Sequence, residues 1–303
     1  MGLTTSARIT VRRIKEIREE MKKIRFFSLA GVFVMFLGLY VAERTVIGAS
    51  ATVVVTESEI VRQPENTTPT GMWIFYTRNA GNGSFRQGPD TPPSGVGSFQ
   101  FVTPTGADKG TLFYYGYAAT QTQLRHIGGI TYSTYRDSGE SANQVPALNI
   151  QVDVNGSAPG GFTTLVFEPV YNTIQGAIVD DVWQDWDAYN NGTAVWWSTG
   201  NIPGVCAFTC YVSWEDIVAA NPNAVIAGGF GINQGSGNPE LTAAADALEI
   251  TVNGDSVLFD FEPYLVASNK NQCKNDGWMT RKRANGTDFT NQGDCVSYVT
   301  TGN

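Results

Sequence analysis

"ALNIQVDVNG", residues 147–156, is the stretch that decides the fold. Leu148, Ile150, Val152 and Val154 fall on one side, and Asn149, Gln151 and Asp153 on the other. Apolar residues at a period of two mark a strand that buries one face. Asn155-Gly156 at its end is the dipeptide that best tolerates the positive φ of a tight turn.

The same pattern continues outward. "ATVVVTESEIV" (51–61), "MWIFYT" (72–77), "GSFQFVT" (97–103), "GTLFYYGYA" (110–118) and "ITYSTYR" (130–136) precede it. "FTTLVFEPVY" (162–171), "TAVWWST" (193–199), "AVIAGGFGIN" (224–233), "ALEITVNG" (247–254) and "SVLFDFEPYLV" (256–266) follow. Gly, Pro and Asn clusters separate them. "SWEDIVAANP" (213–222) is the one good helix, with Ser213 as N-cap, acids in the first turn and Pro222 past the end. Many short strands with one short helix predict an all-β, jelly-roll-like β-sandwich over residues 52–266. The strands near 51–61 and 247–266 are expected to pair.

Residues 1–51 read as an export device. "ARITVRRIKEIREEMKKIR" is basic and helix-favouring. Phe26 to Ala42 is a charge-free run, either a signal-peptide core or a transmembrane anchor. The basic flank keeps the N-terminus cytoplasmic and sends the rest across. "ASA" at 49–51 offers cleavage after Ala51. The expected product is extracellular: secreted if cut, held at the cell surface if not.

Charge is unevenly placed and argues against nucleic acid. Eight of the 20 Lys and Arg lie within the first 25 residues, and residues 137–269 contain none but hold 16 Asp and Glu. Such a body repels phosphate backbones. It stays soluble or attracts cations. Five Asn-x-Ser/Thr sites begin at Asn66, Asn82, Asn155, Asn191 and Asn285. Four of them read Asn-Gly, so they are expected to be turns first and glycosylation acceptors second.

Four cysteines form two local pairs, Cys206 with Cys210 and Cys273 with Cys295. An even count in an exported chain reads as disulfides, which make residues 267–303 a stapled tail. The spacing and the single histidine, His126, are poor for zinc. The tail's basic residues, among them Lys274, Arg281, Lys282 and Arg283, are expected to dock on the acidic sandwich or on an anionic wall polymer.

Further segments carry a resemblance. "ITYSTYRDSG", "PALNIQVDVNG", "TTLVFEPVYN", "WQDWDAYNNGTAVWWSTG", "SWEDIVAANPNAVI", "GINQGSGNPE", "ADALEITVNG" and "FDFEPY" occur in this order. Cys273, Lys274, Gly277 and Trp278 follow, and then "FTNQGDCVS", residues 289–297. Residues 125–303 thus resemble an uncharacterised family of secreted bacterial and archaeal proteins with a concanavalin/laminin-G-like body and a Cys-stapled tail. Asp276 stands where the family's tail has the first Gly of a pair. The resemblance implies a β-sandwich and an extracellular place, and no activity.

Three chemistries are candidates. Trp183, Trp186, Trp196 and Trp197, with Trp214, form a sugar-stacking face or pack in the core and rim. Asp180, Asp181, Asp185 and Asp187 lie beside them, and Asp181 with Asp185 is the pair a glycan hydrolase would use. Asp153 and Asn155 are oxygen donors two apart before a Gly-rich turn, a candidate for structural calcium, with Asp246, Asp260 and Glu262 as further donors. No other cofactor is expected. The leading expectation is an exported binding or structural protein that recognises glycans without catalysis. A glycan hydrolase and a subunit of a cell-surface assembly are the alternatives.

Overall fold

A computed structural model describes residues 50–138, 144–156, 160–235, 237 and 240–302. The apolar run Phe26 to Ala42 lies outside them. Among the described residues no helix is long and apolar enough to cross a membrane.

The chain is a β-sandwich of two sheets. One has seven strands: β1 (Ser50–Val55), β4 (Asn82–Gln87), β5 (Gly97–Thr103), β7 (Ile127–Arg136), β10 (Trp183–Asp187), β14 (Leu241–Val252) and β15 (Asp255–Phe261). The other has eight. In spatial order they are β12 (Val212–Ser213), β11 (Val195–Ser198), β9 (Phe162–Phe167), β8 (Ala147–Asp153), β13 (Val225–Gly235), β6 (Lys109–Tyr114), β3 (Trp73–Arg78) and β2 (Ile60–Pro64).

The alternation at 147–153 lands as the sequence requires. Leu148, Ile150 and Val152 are fully buried in the core, against Leu165 and Phe167 of β9 and Phe230 and Ile232 of β13. Phe75, Phe99, Phe101, Leu112 and Ile250 come from other strands of both sheets to the same core. Burial of such side chains stabilises by about 1.5–3 kcal/mol each. Asn253 and Gly254, both at positive φ, make the tight turn from β14 to β15. β1 pairs with β15 in parallel, Ser50 opposite Ser256, so the early and late strands do meet. Ala51 sits inside β1 opposite Val257. Cleavage after Ala51 leaves Thr52–Val55 of that strand.

Three strands escape the sequence pattern, among them the two-residue β12, held by pairing with β11. β4, "NGSFRQ", and β10, "WQDWD", are too polar to read as strands and are held by pairing with β5 and β7. Helices are also more numerous than the single one expected. Gly116–Ala119 forms α1, and α2, Trp214–Ala220, is the expected helix with Ser213 Oγ accepting from Asp216 N. Lys270–Cys273 (α3) and Gln292–Thr301 (α4) lie in the tail. Asn291 caps α4 by accepting from Asp294 N, a signal present in "NQGD".

Both expected disulfides are closed, Cys206–Cys210 and Cys273–Cys295. The second lies at the centre of a small separate core of Ala267, Cys273, Phe289 and Cys295, flanked by Trp278 and Tyr298. The basic tail residues touch the end of the sandwich, Arg281 donating to Val266 O at 3.2 Å and Lys282 lying 5.9 Å from the Tyr264 ring centroid, and form their ion pairs within the tail. Lys282 pairs with Asp288 and Arg283 with Asp294, and Arg283 also lies over the Phe289 ring at 4.7 Å. Short-range partners within the tail offer these charges salt bridges without ordering a long loop.

Candidate functional site

The outward face of the eight-stranded sheet is built from the residues that alternate with the core. Strand register lines up one row: Trp197 (β11), Val166 (β9), Asn149 (β8), Gly231 (β13), Phe113 (β6) and Ile74 (β3). A second row holds Ala147, Asn233, Thr111 and Tyr76. At about 4.8 Å per strand, β11 to β3 spans about 24 Å.

β13 is the floor of a groove because two of its outward positions, Gly229 and Gly231, are glycines. A Cβ on Gly231 would run into the Leu112 carbonyl oxygen, and one on Gly229 into the Phe113 ring. No side chain therefore rises between Asn149 and Phe113. Loops raise the two ends. On one side residues 65–69 stand over Tyr76, enclosing a cavity of about 530 Å³ with Thr111, Phe113, Tyr115, Gln151 and Phe162. On the other, a cavity of about 210 Å³ is lined by Asn149, Glu168, Trp197, Phe208 and Asn233. Lys109 borders both.

Phe208 reaches this site through the Cys206–Cys210 bridge. The five-residue loop "CAFTC" turns at Phe208, whose φ is 61°, and Phe208 N donates to Ser198 O at 2.9 Å. The Phe208 side chain is 61% exposed, and its ring centroid is 5.7 Å from that of half-buried Trp197. Phe162, 59% exposed, offers a second free ring. Both rings are open to a ligand in the groove.

The polar groups are mostly oriented. Trp197 Nε1 donates to Glu168 Oε2 at 2.8 Å, and Thr111 Oγ1 donates to Asn233 Oδ1 at 2.8 Å. Burial raises the Glu168 carboxyl above the usual range, against the lowering effect of the Trp197 bond. Lys109 Nζ lies 2.7 Å from Glu65 Oε1, with Arg78 3.1 Å from Oε2. Burial alone would raise Glu65, but the Lys109 bond and charge, then Arg78, bring it below the usual range. One acceptor is left over. Asn149 is 7% exposed and its Oδ1 is buried with no partner. A buried carbonyl without a donor costs about 1–3 kcal/mol, so such an atom calls for a ligand or water.

A larger cavity, about 760 Å³, opens beside β1 between Trp73, Tyr114 and the 120–126 loop. Its rings are already packed on one another, Trp73 lying 5.0 Å from both Tyr114 and Phe259. Its loop hydroxyls and amides bond each other, Thr120 with Thr122 and Arg125 with Gln123. The groove has the stronger claim.

The sequence candidates scatter. Of the tryptophans, only Trp197 lines the groove. Trp186 and Trp196 are 1% and 0% exposed and Trp214 is 2%, so these three are core residues and not a stacking face. Trp186 Nε1 donates to Thr134 Oγ1 and Trp196 Nε1 to Ala188 O, which satisfies both indoles inside. Trp183 is half-buried on the other sheet, its Nε1 donating to Pro89 O. Asp181 and Asp185 are exposed and belong to that sheet's edge; Asp181 Oδ1 accepts from Ser138 N and Asp185 Oδ1 from Ser133 Oγ. Asp180 pairs with Arg136. The acids are thus not in the groove. Asp153 and Asn155 are adjacent, but Asp153 Oδ1 accepts from Asn155 N at 2.8 Å, the hydrogen bond of an Asx turn. Asn149, Glu168, Phe208 and Asn233 were missed. The alternate glycines of "GGFG" were the available signal, since they lie on the polar side of an apolar strand.

The fold and site define a β-sandwich with an aromatic and amide-lined groove on an outer sheet face. No family model matches the chain, and no curated protein matches it. Among solved structures it is similar to a family 11 carbohydrate-binding module from Clostridium thermocellum in complex with a β-1,3-1,4-mixed-linked tetrasaccharide. The TM-score is 0.35 at 10% identity, over 63% of this chain and 95% of that one. The family 11 module of the cellulosomal cellulase Lic26A-Cel5E of Clostridium thermocellum aligns at TM-score 0.35 and 10% identity, over 61% of this chain and 89% of that one.

Proposed function

We propose that the protein is an exported, non-catalytic glycan-binding protein that takes a neutral oligosaccharide chain along the outer face of its eight-stranded sheet. The observation that carries this reading is Asn149 Oδ1, a buried acceptor without a donor, set between the Trp197–Phe208 pair and the glycine floor. A sugar hydroxyl supplies the missing hydrogen bond, and sugar ring faces stack on exposed aromatics. The groove's lysine is already paired with Glu65, so it offers no free cation to an anionic polymer. Hydrolysis needs two cooperating carboxylates. In the groove, Glu65 is held by two cations and Glu168 by Trp197. The two disulfides fit an oxidising exterior, and retention by the Phe26–Ala42 run would tether the body to the membrane.

Affinity electrophoresis of the purified chain in gels containing neutral polysaccharides tests this. Retention on at least one glucan, xylan or mannan is expected. Trp197→Ala and Phe208→Ala should weaken it at least tenfold, a loss of about 1.4 kcal/mol. Trp183→Ala should leave it unchanged. Unaltered retention in the Trp197 and Phe208 variants removes the groove reading. Release of reducing sugar that stops in Asp181→Asn or Asp185→Asn replaces it with the hydrolase alternative.

A further inference from the structure

The outward row of the eight-stranded sheet does not stop at Trp197. β11 and β12 pair with Val195 opposite Ser213 and Trp196 opposite Val212. The next position along that ladder sets Tyr211, just before β12, opposite Trp197. Side chains two apart on extended backbone share a face. Glu168, just past β9, therefore faces outward with Val166, as its bond from Trp197 Nε1 requires. Tyr171 stands in the short turn Pro169–Tyr171 that follows Glu168.

Tyr171 and Tyr211 close on each other. Their ring centroids are 4.3 Å apart, with the planes tilted by 38°. Each residue is 43% exposed, so the pair is a surface feature and not core packing. The two hydroxyls are hydrogen-bonded to each other, which uses one proton and leaves the second to a ligand. Burial, then the bond to Tyr171 and the charge of Glu168, push the Tyr211 hydroxyl up to about 12, so it stays neutral. Glu168 thus lies beside both Trp197 and Tyr211. Three strand spacings, about 14 Å, separate Asn149 of β8 from this end of the sheet.

We propose that Tyr171 and Tyr211 form a further sugar-binding position at the β12 end of the groove, so that the groove favours chains long enough to reach them from Asn149. This position rests on the glycan-binding reading of the groove, to which it adds a preference for chain length. A short chain held at Asn149 and Trp197 stops before the tyrosines. A longer one lays a further ring against them and takes the spare hydroxyl proton. The charge of Glu168 beside Tyr211 repels an acidic sugar, so the added ring is neutral.

The test uses the full chain in gels that contain a neutral polysaccharide which retards it. A disaccharide and a hexasaccharide of the same linkage are added as competitors. The hexasaccharide should release the chain at a concentration at least about tenfold lower than the disaccharide. Tyr171→Ala and Tyr211→Ala should each weaken the hexasaccharide by about fivefold or more and change the disaccharide by less than about twofold. Trp197→Ala should weaken both competitors. Thermal melts show that each variant is folded, and if one is not, the other decides. A wild-type chain that binds both competitors alike overturns the further position and leaves the groove standing. So do tyrosine variants that keep the wild-type ratio or weaken both competitors equally. No retardation by any glucan, xylan or mannan removes the groove and the further position together.

Discussion

Phe208 and Trp197 face each other at 5.7 Å between ring centroids, although one is in an exposed loop and the other in β11. The Cys206–Cys210 bridge and the Phe208 N bond to Ser198 O hold them so. Removing the bridge should separate affinity from stability. In the chain-entropy model a five-residue ring contributes about 2 kcal/mol. Cys206→Ser with Cys210→Ser is expected to lower Tm modestly and weaken glycan retention at least tenfold, because Phe208 is no longer held over Trp197. Melts and affinity gels on the same preparation check both arms.

Asn149 is expected to trade stability against binding. Its Oδ1 has no donor in the unliganded groove. Asn149→Leu removes that unsatisfied acceptor at similar volume, so stability should stay within about 1 kcal/mol of wild type or rise. Retention should fall, since the sugar hydroxyl loses its acceptor. Denaturant unfolding beside affinity gels measures the two effects.

The buried tryptophans should behave as core. Trp186→Ala and Trp196→Ala are each expected to destabilise by about 3–5 kcal/mol. Trp183→Ala, half-buried at the other sheet, should cost less. Denaturant midpoints at constant m rank the three.

Stability should depend on pH through Asp246. Burial raises its carboxyl to about 8, against the opposing bonds from Phe261 and Ala247, with the Asp260 charge adding to the rise and Ser94 opposing it. Between about pH 4 and pH 8 the folded chain therefore holds a proton that the unfolded chain has lost. The stabilisation is fully present below the unfolded carboxylate range and disappears as pH rises through the folded value. The expected slope is at most about 1.4 kcal/mol per pH unit from this group. Asp246→Asn should flatten that limb of the stability curve.

The tail should respond to reduction by itself. Its small core is arranged around Cys273 and Cys295, both fully buried. Opening that bridge costs about 3 kcal/mol in the chain-entropy model. Protease should then cut within residues 267–303 while the sandwich keeps its far-UV circular dichroism.

Much of the sandwich was legible because its signals are local. The alternation in β5, β7, β8 and β15 needs only neighbours along the strand, and both disulfides pair cysteines close in sequence. β4 and β10 were not legible, since "NGSFRQ" and "WQDWD" become strands only through pairing with β5 and β7. The candidate site was hardly legible. Five tryptophans look alike in sequence, and burial separates Trp197 from Trp186, Trp196 and Trp214.

The sequence by itself determined an all-β body with a stapled tail, because side-chain period and cysteine pairing are short-range properties. It also contained the residues of the proposed groove without saying which would meet. Tertiary structure alone decided that Asn149 lies in one row with Gly231 and Phe113, and that Val96 N reaches Glu262 across 166 residues. Such contacts depend on strand order and sheet packing, and no local pattern of residues encodes them.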